Sequence, residues 1–362
     1  MIRKVLLLSV IMGFSLIATA EAASNPDWDK TVGAAKKEGK VTIYTTSGPG
    51  QLAALRKGFE KAFGLEIEFL SGRGAELREK LFRERQSGMY LTDLFMMGAS
   101  GMLIDFKPAG VFDPIKSLLV TPEALDPKAW WKGSPIYLDK EQTYVIGFCF
   151  FPQPPILANT DLIKPGDVKS HADLLQPRWK GKMVINDPTT TGAGQEWYQM
   201  VSKALGGEFM RKLAKQEPAV ARDLRLQTEW VARGKYALLL GPQKAAVGEL
   251  MAAGAPVAYL TTSDVNWATC NPGTMGVINR PAHPNAVKVF VNWLLGREGQ
   301  TIYSKSFMIQ SARLDVPTDH LDPQLIRRHG VNYINATLED FALERAVIEK
   351  EARAIFGPEA RQ

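Results

Sequence analysis

Only two cysteines, Cys149 and Cys270, stand among 362 residues. So few exclude a disulfide-built scaffold, and two separate thiols are common core residues. The four histidines, His171, His283, His320 and His329, form no His-x-x-His or His-Glu-x-x-His pattern. With no tight cysteine and histidine cluster either, neither a metal site nor a cofactor is expected. The chain lacks a Gly-x-Ser-x-Gly elbow, since Gly98-x-Ser100 continues with Gly101 and Met102. It also lacks a phosphate-cradling loop ending in Gly-Lys-Ser or Gly-Lys-Thr. Ser100 has no histidine or acid partner that sequence alone can assign, so little supports an enzyme. Adjacent basic residues such as Lys36-Lys37 and Arg327-Arg328 come only as pairs, and no basic stretch is interleaved with aromatics. Nucleic acid is therefore not an expected partner. A net charge of +6, with both signs spread along the chain, says little about others.

The start of the chain reads as an export signal. Arg3 and Lys4 precede an almost wholly apolar run, Val5 through Ala18. Ala20-Glu21-Ala22 then places small residues at the spacing a signal peptidase needs. The run is shorter than the roughly 20 apolar residues a membrane span takes. A signal peptide over residues 1–22, cleaved near Ala22, and a periplasmic destination are expected. No cysteine directly follows the run to carry a lipid anchor.

The mature part opens on a rhythm of strand, turn and helix. Strands are expected at 40–45, 65–70 and 93–97, each followed by a glycine-bearing turn. Leu52, Leu55, Phe59 and Phe63, and then Leu77 and Leu81, recur at helical spacing. Such alternation points to a largely parallel sheet covered by helices. A long apolar strand is expected over 143–151, stopped by Pro152, Pro154 and Pro155. Further strands are expected at 182–185, 236–240, 257–260 and 275–278, with helices starting near Gly194, at 243–253 and at 284–295. Leu338, Phe341, Ile348, Ala352 and Ile355 mark a last amphipathic helix whose apolar stripe Arg345 interrupts. These segments can be arranged as two α/β lobes.

Four strand ends carry small polar or glycine-rich turns leading into helices. They are Thr45-Thr46-Ser47-Gly48, Ser71-Gly72-Arg73-Gly74, Gly98-Ala99-Ser100-Gly101 and Thr189-Thr190-Thr191-Gly192. Ligands of open parallel sheets bind beyond the carboxyl ends of the strands. Helix starts there present unpaired N–H groups and a dipole that favour an anion. Any one such turn is more often a plain helix cap; their repetition is the signal. Arg73, between two glycines, can reach a carboxylate, phosphate or phosphonate with a two-pronged guanidinium. Lys244 after Gln243 offers a second positive charge, and Arg313 a weaker one. Trp197 and Tyr198, just past the triple threonine, are candidates for a pocket wall, Trp197 equally for plain core, and Trp267 belongs to the cleft or to an ordinary loop.

Five stretches then carry a resemblance. The first is Val41-Thr42-Ile43-Tyr44-Thr45 after Ala35-x-x-Glu38-Gly39, followed by Ser71-Gly72-x-Gly74 and by Thr92-Asp93-Leu94-Phe95. The fourth is Trp179-Lys180-Gly181-Lys182 leading to Asp187-Pro188-Thr189. The fifth is Ala282-His283-Pro284-Asn285-Ala286 with Leu294-Leu295-x-x-Glu298-Gly299-Gln300 behind it. In order and spacing the chain resembles the periplasmic solute-binding proteins of ABC importers, type 2 fold, in the branch of ferric-ion binders and phosphate- or phosphonate-bearing solute binders. The resemblance implies an α/β protein of two lobes, each a mixed, mostly parallel sheet flanked by helices, joined by a two-strand hinge. It implies a first lobe of residues 23–148 and 272–362 and a second of 149–271. Cys149 and Cys270 then both fall near the hinge, where a disulfide is open to them if their Cα atoms lie within about 7 Å.

The departures from the family bear on the ligand. Its ferric binders use two adjacent tyrosines after the strand matching Tyr236–Leu240; here Gly241-Pro242-Gln243-Lys244-Ala245 stands there, and no Tyr-Tyr pair occurs. Tyr44, Tyr198 and Tyr236 are scattered candidates only. The expected function is therefore delivery of a small anionic organic solute to the membrane permease of an ABC importer, by a monomer. Its expected contacts are Thr45, Thr46, Ser47, Arg73, Gly74, Ala99, Ser100, Thr189, Thr190, Thr191, Trp197, Gln243 and Lys244. Uptake of ferric ion or an iron chelate is the alternative, and an exported enzyme acting on a small anion the third reading.

Overall fold

The computed structural model describes residues 26–357, so the expected signal segment and its cleavage point lie outside the described residues. In chain order it contains α1 (Pro26–Glu38), β1 (Lys40–Thr45), α2 (Pro49–Phe63), β2 (Glu66–Ser71), α3 (Gly74–Gln86), β3 (Leu94–Met96), α4 (Ala99–Gly101) and α5 (Pro122–Leu125). Then come β4 (Ile136–Tyr137), β5 (Val145–Gly147), β6 (Phe151–Pro152), β7 (Ile156–Asn159), β8 (Met183–Asn186), α6 (Ala193–Ala214), β9 (Ala219–Ala221), α7 (Leu224–Ala232), β10 (Leu238–Leu240) and α8 (Lys244–Ala252). The chain ends with β11 (Val257–Leu260), β12 (Trp267–Thr269), β13 (Thr274–Val277), α9 (Pro284–Leu295), α10 (Arg297–Phe307), β14 (Ile334–Asn335), α11 (Glu339–Leu343) and α12 (Arg345–Phe356). Among the described residues no helix is long and apolar enough to cross a membrane.

Two mixed sheets, each flanked by helices, make two lobes. The first sheet has the order β2-β1-β3-β13-β5-β4, the second β11-β7-β10-β8-β9. In the first, β1 lies between parallel β2 and β3, with Ile43 opposite both Phe69 and Leu94. Strand β13, returning late in the chain, closes antiparallel on β3. The second sheet is apolar on both faces, and its alternation shows it. Ile156, Ala158, Met183, Ile185, Leu238 and Leu240 belong to one core. Their neighbours Leu157, Val184 and Leu239 belong to another on the opposite face. A strand buried on both sides reads as an unbroken apolar run, which is why these strands stood out in the sequence.

The run 143–151 is not one strand. It splits into β5, in the first sheet, and β6, in a third sheet of order β14-β12-β6. The chain leaves the first lobe there, so one apolar run serves two sheets. Strand β12 carries the return path: Ala268 pairs with Pro152 and Thr269 with Phe151. Cys149 and Cys270 sit on these two crossings as buried free thiols, with no disulfide between them. Burial raises both thiol pKa values, that of Cys270 to about 12.

The final amphipathic helix is two helices, α11 and α12, separated at Glu344. The expectation that everything after residue 272 returns to the first lobe needs correction here. Ile348, Ala352 and Phe356 of α12 are buried in the core of the second lobe. A stripe of apolar residues shows that a helix has a buried face, not which partner covers it. Residues 338–344 thus cross between the lobes. Glu339 holds the first lobe, accepting from Lys107 Nζ at 2.7 Å and from the Lys140 N–H at 2.8 Å. Glu344 holds the second, paired with Lys203 at 2.6 Å.

Candidate functional site

A cavity of about 590 Å³ lies between the lobes and against the hinge. Its first-lobe wall is Gln51 near the start of α2, Asn271-Pro272, and Phe307 to Ile309 at the end of α10. Its second-lobe wall is the starts of α6 and α8. Phe151 and Thr269, opposite each other in the hinge sheet, form the floor with Trp267.

Glycines set the two second-lobe helix starts in place. A Cβ on Gly194 would stand 2.2 Å from the Asn186 carbonyl oxygen, so only glycine lets α6 begin directly over the end of β8. Gly241 takes φ +69°, a left-handed conformation that glycine adopts without strain. Its carbonyl accepts from Asn186 Nδ2 at 3.0 Å, tying the ends of β8 and β10 together. The first turns of α6 and α8 are thereby held side by side on the cavity wall.

Four charged side chains line this cavity: Glu196, Lys244, Glu249 and Arg345. The Lys244 ammonium crosses the cleft and donates to the carbonyls of Met308 and, at 3.5 Å, Phe307. It also lies 5.7 Å from the centre of the Phe151 ring. Burial lowers its pKa to about 8, because the charged form loses hydration. Arg345, the first residue of α12, is half-buried, and among the described residues its guanidinium makes no hydrogen bond or ion pair. Burial lowers its pKa while the Glu196 carboxylate works the other way. Glu196 Oε1 accepts from Trp267 Nε1 at 3.2 Å. Burial raises the Glu196 pKa against the pull of that bond and of Arg345.

Of the residues expected to contact ligand, this cavity gathers Thr191, Trp197, Gln243 and Lys244. Trp197 is wholly buried and belongs to the second-lobe core as well. Gln243 caps α8, its Oε1 accepting from the Ala246 N–H at 3.1 Å. Thr189 is turned inward, donating from both N–H and hydroxyl to Asp187 Oδ1 at 2.9 and 2.7 Å. Thr190 is half-buried beside it and does not line the cavity. The three first-lobe turns, which follow the adjacent parallel strands β1, β2 and β3, share one edge of their sheet without lining the cavity. There Thr45 is buried, its hydroxyl accepting from the Ser47 N–H at 3.1 Å, and Thr46 is exposed. Arg73 is exposed, and its N–H donates to Glu76 Oε2 at 3.2 Å as Gly74 starts α3. Ser100 is half-buried, and the Ala99 N–H is already taken by Asn271 Oδ1 at 2.9 Å. Arg313 is buried away from the cavity, gripped by Asp315 at 2.7 Å.

Sequence reasoning missed Arg345, Glu196 and Asn271 as cavity residues. For Arg345 there was a signal, since it broke an otherwise apolar helical stripe.

Metal ligands do not converge. Among the described residues no group of three or more histidine, cysteine, aspartate or glutamate side chains could hold a metal ion. Among the described residues no tyrosine lines the cavity. Tyr44 donates to Glu84 at 2.8 Å in the first-lobe core, Tyr198 is buried in the second, and Tyr236 packs on Trp230. Burial raises the pKa of Tyr44 and, to about 12, of Tyr198, away from the tyrosinate a ferric ion needs.

The family model described as bacterial extracellular solute-binding protein matches residues 41–309. No curated protein matches the chain. Among solved structures, a Trichodesmium protein in complex with iron and citrate is 20% identical, with TM-score 0.65 over 88% of this chain and 99% of that one. Apo ferric ion-binding protein A of Pasteurella haemolytica is 15% identical, with TM-score 0.66 over 88% and 98%. The periplasmic binding protein AfuA of Actinobacillus pleuropneumoniae, with fructose-6-phosphate bound, is 16% identical, with TM-score 0.60 over 88% and 99%. Identities this low establish a shared fold.

Proposed function

The chain belongs to the bacterial extracellular solute-binding protein family, and from that premise we propose that its interlobe cavity captures a small anionic solute. Members of this family are periplasmic binding proteins, not enzymes, and hand a solute to the membrane permease of an ABC importer. The observation that carries the anionic reading is Arg345. Among the described residues its half-buried guanidinium makes no hydrogen bond or ion pair, with the Glu196 carboxylate near it but not joined to it, and such a charge is costly unless a ligand of opposite charge completes it.

Two forms of anion fit, and an iron chelate stands ahead of an iron-free organic acid. Two of the three structural relatives above are known with iron or as ferric-ion binders, one of them with citrate. A chelate already supplies the oxygen ligands of the metal, which this cavity does not gather. Its remaining negative charge would rest on Arg345 and Lys244. The iron-free reading keeps its own support, since a sugar phosphate occupies the third relative. A bare ferric ion fits least well, because the carboxylates of Glu196 and Glu249 are matched by two cations and no tyrosine among the described residues lines the cavity.

Capture requires closure, and closure requires contacts that form only when both lobes engage the solute. In this reading the turns at Thr45–Ser47, Arg73–Gly74, Ala99–Ser100 and Thr189–Thr191 draw onto the solute as the lobes approach. The segment through Ala22 would be removed on export. Isothermal titration with ferric citrate, citrate alone and fructose-6-phosphate tests the reading. Saturable binding of one of them, weakened in Arg345→Ala, is expected. Equal binding by wild type and Arg345→Ala would remove the carrying observation.

A further inference from the structure

Two opposite charges line the cavity without joining. Arg345 reaches it from the start of α12, and Glu196 from the first turn of α6. Each affects the ionisation of the other, yet they form no ion pair. Glu196 Oε1 is fixed by the Trp267 indole at 3.2 Å, while Oε2 has no hydrogen-bond partner among the described residues. A site shaped only for negative charge would not place a carboxylate beside its free guanidinium, since like charge repels the ligand. The carboxylate makes sense when the ligand also brings a hydrogen-bond donor. An ionised carboxylate is an acceptor only, and bonds to it are among the strong ones. Phe151, Trp197 and Trp267 wall the same space, giving the uncharged skeleton between donor and anion an apolar bed.

We infer that the solute is bifunctional, presenting an anionic group to Arg345 and, close to it, a hydrogen-bond donor to Glu196. The donor is a hydroxyl or an ammonium, or in a metal chelate a metal-bound water. This inference rests on the capture reading above and narrows it: hydroxy acids, amino acids and their chelates qualify, and plain polycarboxylates do not. Glu196 then works as a specificity residue, rejecting solutes that leave it unpaired.

Matched probes separate the two claims. Citrate and tricarballylate differ by one hydroxyl, as do malate and succinate. Each is titrated, without and with equimolar ferric iron, into wild type, Glu196→Gln and Arg345→Ala, with circular dichroism confirming that every variant is folded. Wild type is expected to prefer the hydroxyl-bearing member at least tenfold in one pair or more. Glu196→Gln should shrink that ratio to below threefold, while Arg345→Ala weakens both members alike. A preference that appears only with iron assigns the donor to the chelate. Equal binding of both members by wild type, or an unchanged ratio in Glu196→Gln, overturns the inference and leaves the capture reading standing. Absence of binding by every probe, alone or with iron, overturns both.

Discussion

The ammonium of Lys244, in the first turn of α8 on the second lobe, donates a hydrogen bond across the cleft to the main-chain carbonyl of Met308, the residue that ends α10 on the first. Carbonyls at a helix end lack partners within the helix and carry the negative pole of its dipole. The two lobes are therefore tied by a charge-assisted bond inside the cavity that a solute must enter. An arriving anion competes with the Met308 carbonyl for the same cation.

That tie titrates near neutrality. With the Lys244 pKa lowered to about 8, raising the pH from 7 to 9 removes most of its charge, while Arg345 stays ionised. Affinity for an anionic probe such as citrate is expected to fall several-fold over this window. Lys244→Met should bind more weakly at pH 7 and show no such fall, as titration calorimetry at the three pH values 7, 8 and 9 would reveal. For stability the sign is opposite. The folded state holds the proton less tightly than the unfolded chain, whose lysine keeps its ordinary value of 10.5. Between about pH 8 and 10.5 the unfolded state binds more protons, so the contribution of Lys244 to stability rises with pH.

Asp264 makes the acid limb. Burial opposes its charge, yet hydrogen bonds from wholly buried His171 prevail and hold its pKa at about 2. The His171 N–H lies 2.8 Å from Oδ2, and Nδ1 lies 2.9 Å from Oδ1. A folded-state pKa below the unfolded value gives stability that is complete above about pH 4 and is lost as pH falls toward 2. Asp264→Asn is expected to cost about 2 kcal/mol at pH 7. Urea titrations at pH 3 and 7 should show the difference between wild type and variant shrinking at the lower pH.

Asp93 fastens the first lobe where β3 meets α9. Its carboxylate is fully buried and accepts from the Thr42 N–H at 2.7 Å and the His283 N–H at 2.9 Å, with His283 Nδ1 at 2.8 Å. Asp93→Ala strands these groups without water, which is expected to cost about 3 kcal/mol or more. Replacing exposed Asp29 by alanine is the control and should shift the unfolding midpoint little.

The sequence carried the lobes well because both sheets are built from short apolar strands ended by glycine turns. Ile43, Val184 and Leu239 announce themselves locally. The cavity was less legible because its members come from seven separate stretches. Thr191, Gln243 and Lys244 could be picked out as polar residues at helix starts. Arg73 looked equally good by that criterion, yet it is exposed outside the cavity. A helix start is a local feature, whereas facing the other lobe is a global one. Glu196 was hidden as an acid in a helical first turn, where acids are common for reasons of the dipole. Arg345 was visible as a fault in an apolar stripe, but its direction depended on α12 packing on the second lobe.

That packing makes the last prediction. The segment 338–344 is a third connection between the lobes, beside the crossings at Phe151 and Trp267. Its first-lobe anchor is Glu339, and its second-lobe end carries Arg345. Glu339→Ala removes the anchor but leaves Lys107 paired with Glu141, so no lone charge is created. The variant should stay folded, losing about 1–3 kcal/mol for a buried charge-assisted contact. Its effect on capture should appear in the rate of escape. Arg345 can still meet the solute, but the lobe opposite is held less firmly, so the closed form reopens sooner. Stopped-flow displacement of bound ferric citrate is expected to show dissociation several-fold faster than wild type, with the association rate little changed. Arg345→Ala should lower affinity further, because it removes the contact itself. Were Glu339→Ala to release the solute at the wild-type rate, the strap would be a passive tether, and closure would rest on the two hinge crossings and the Lys244 tie alone.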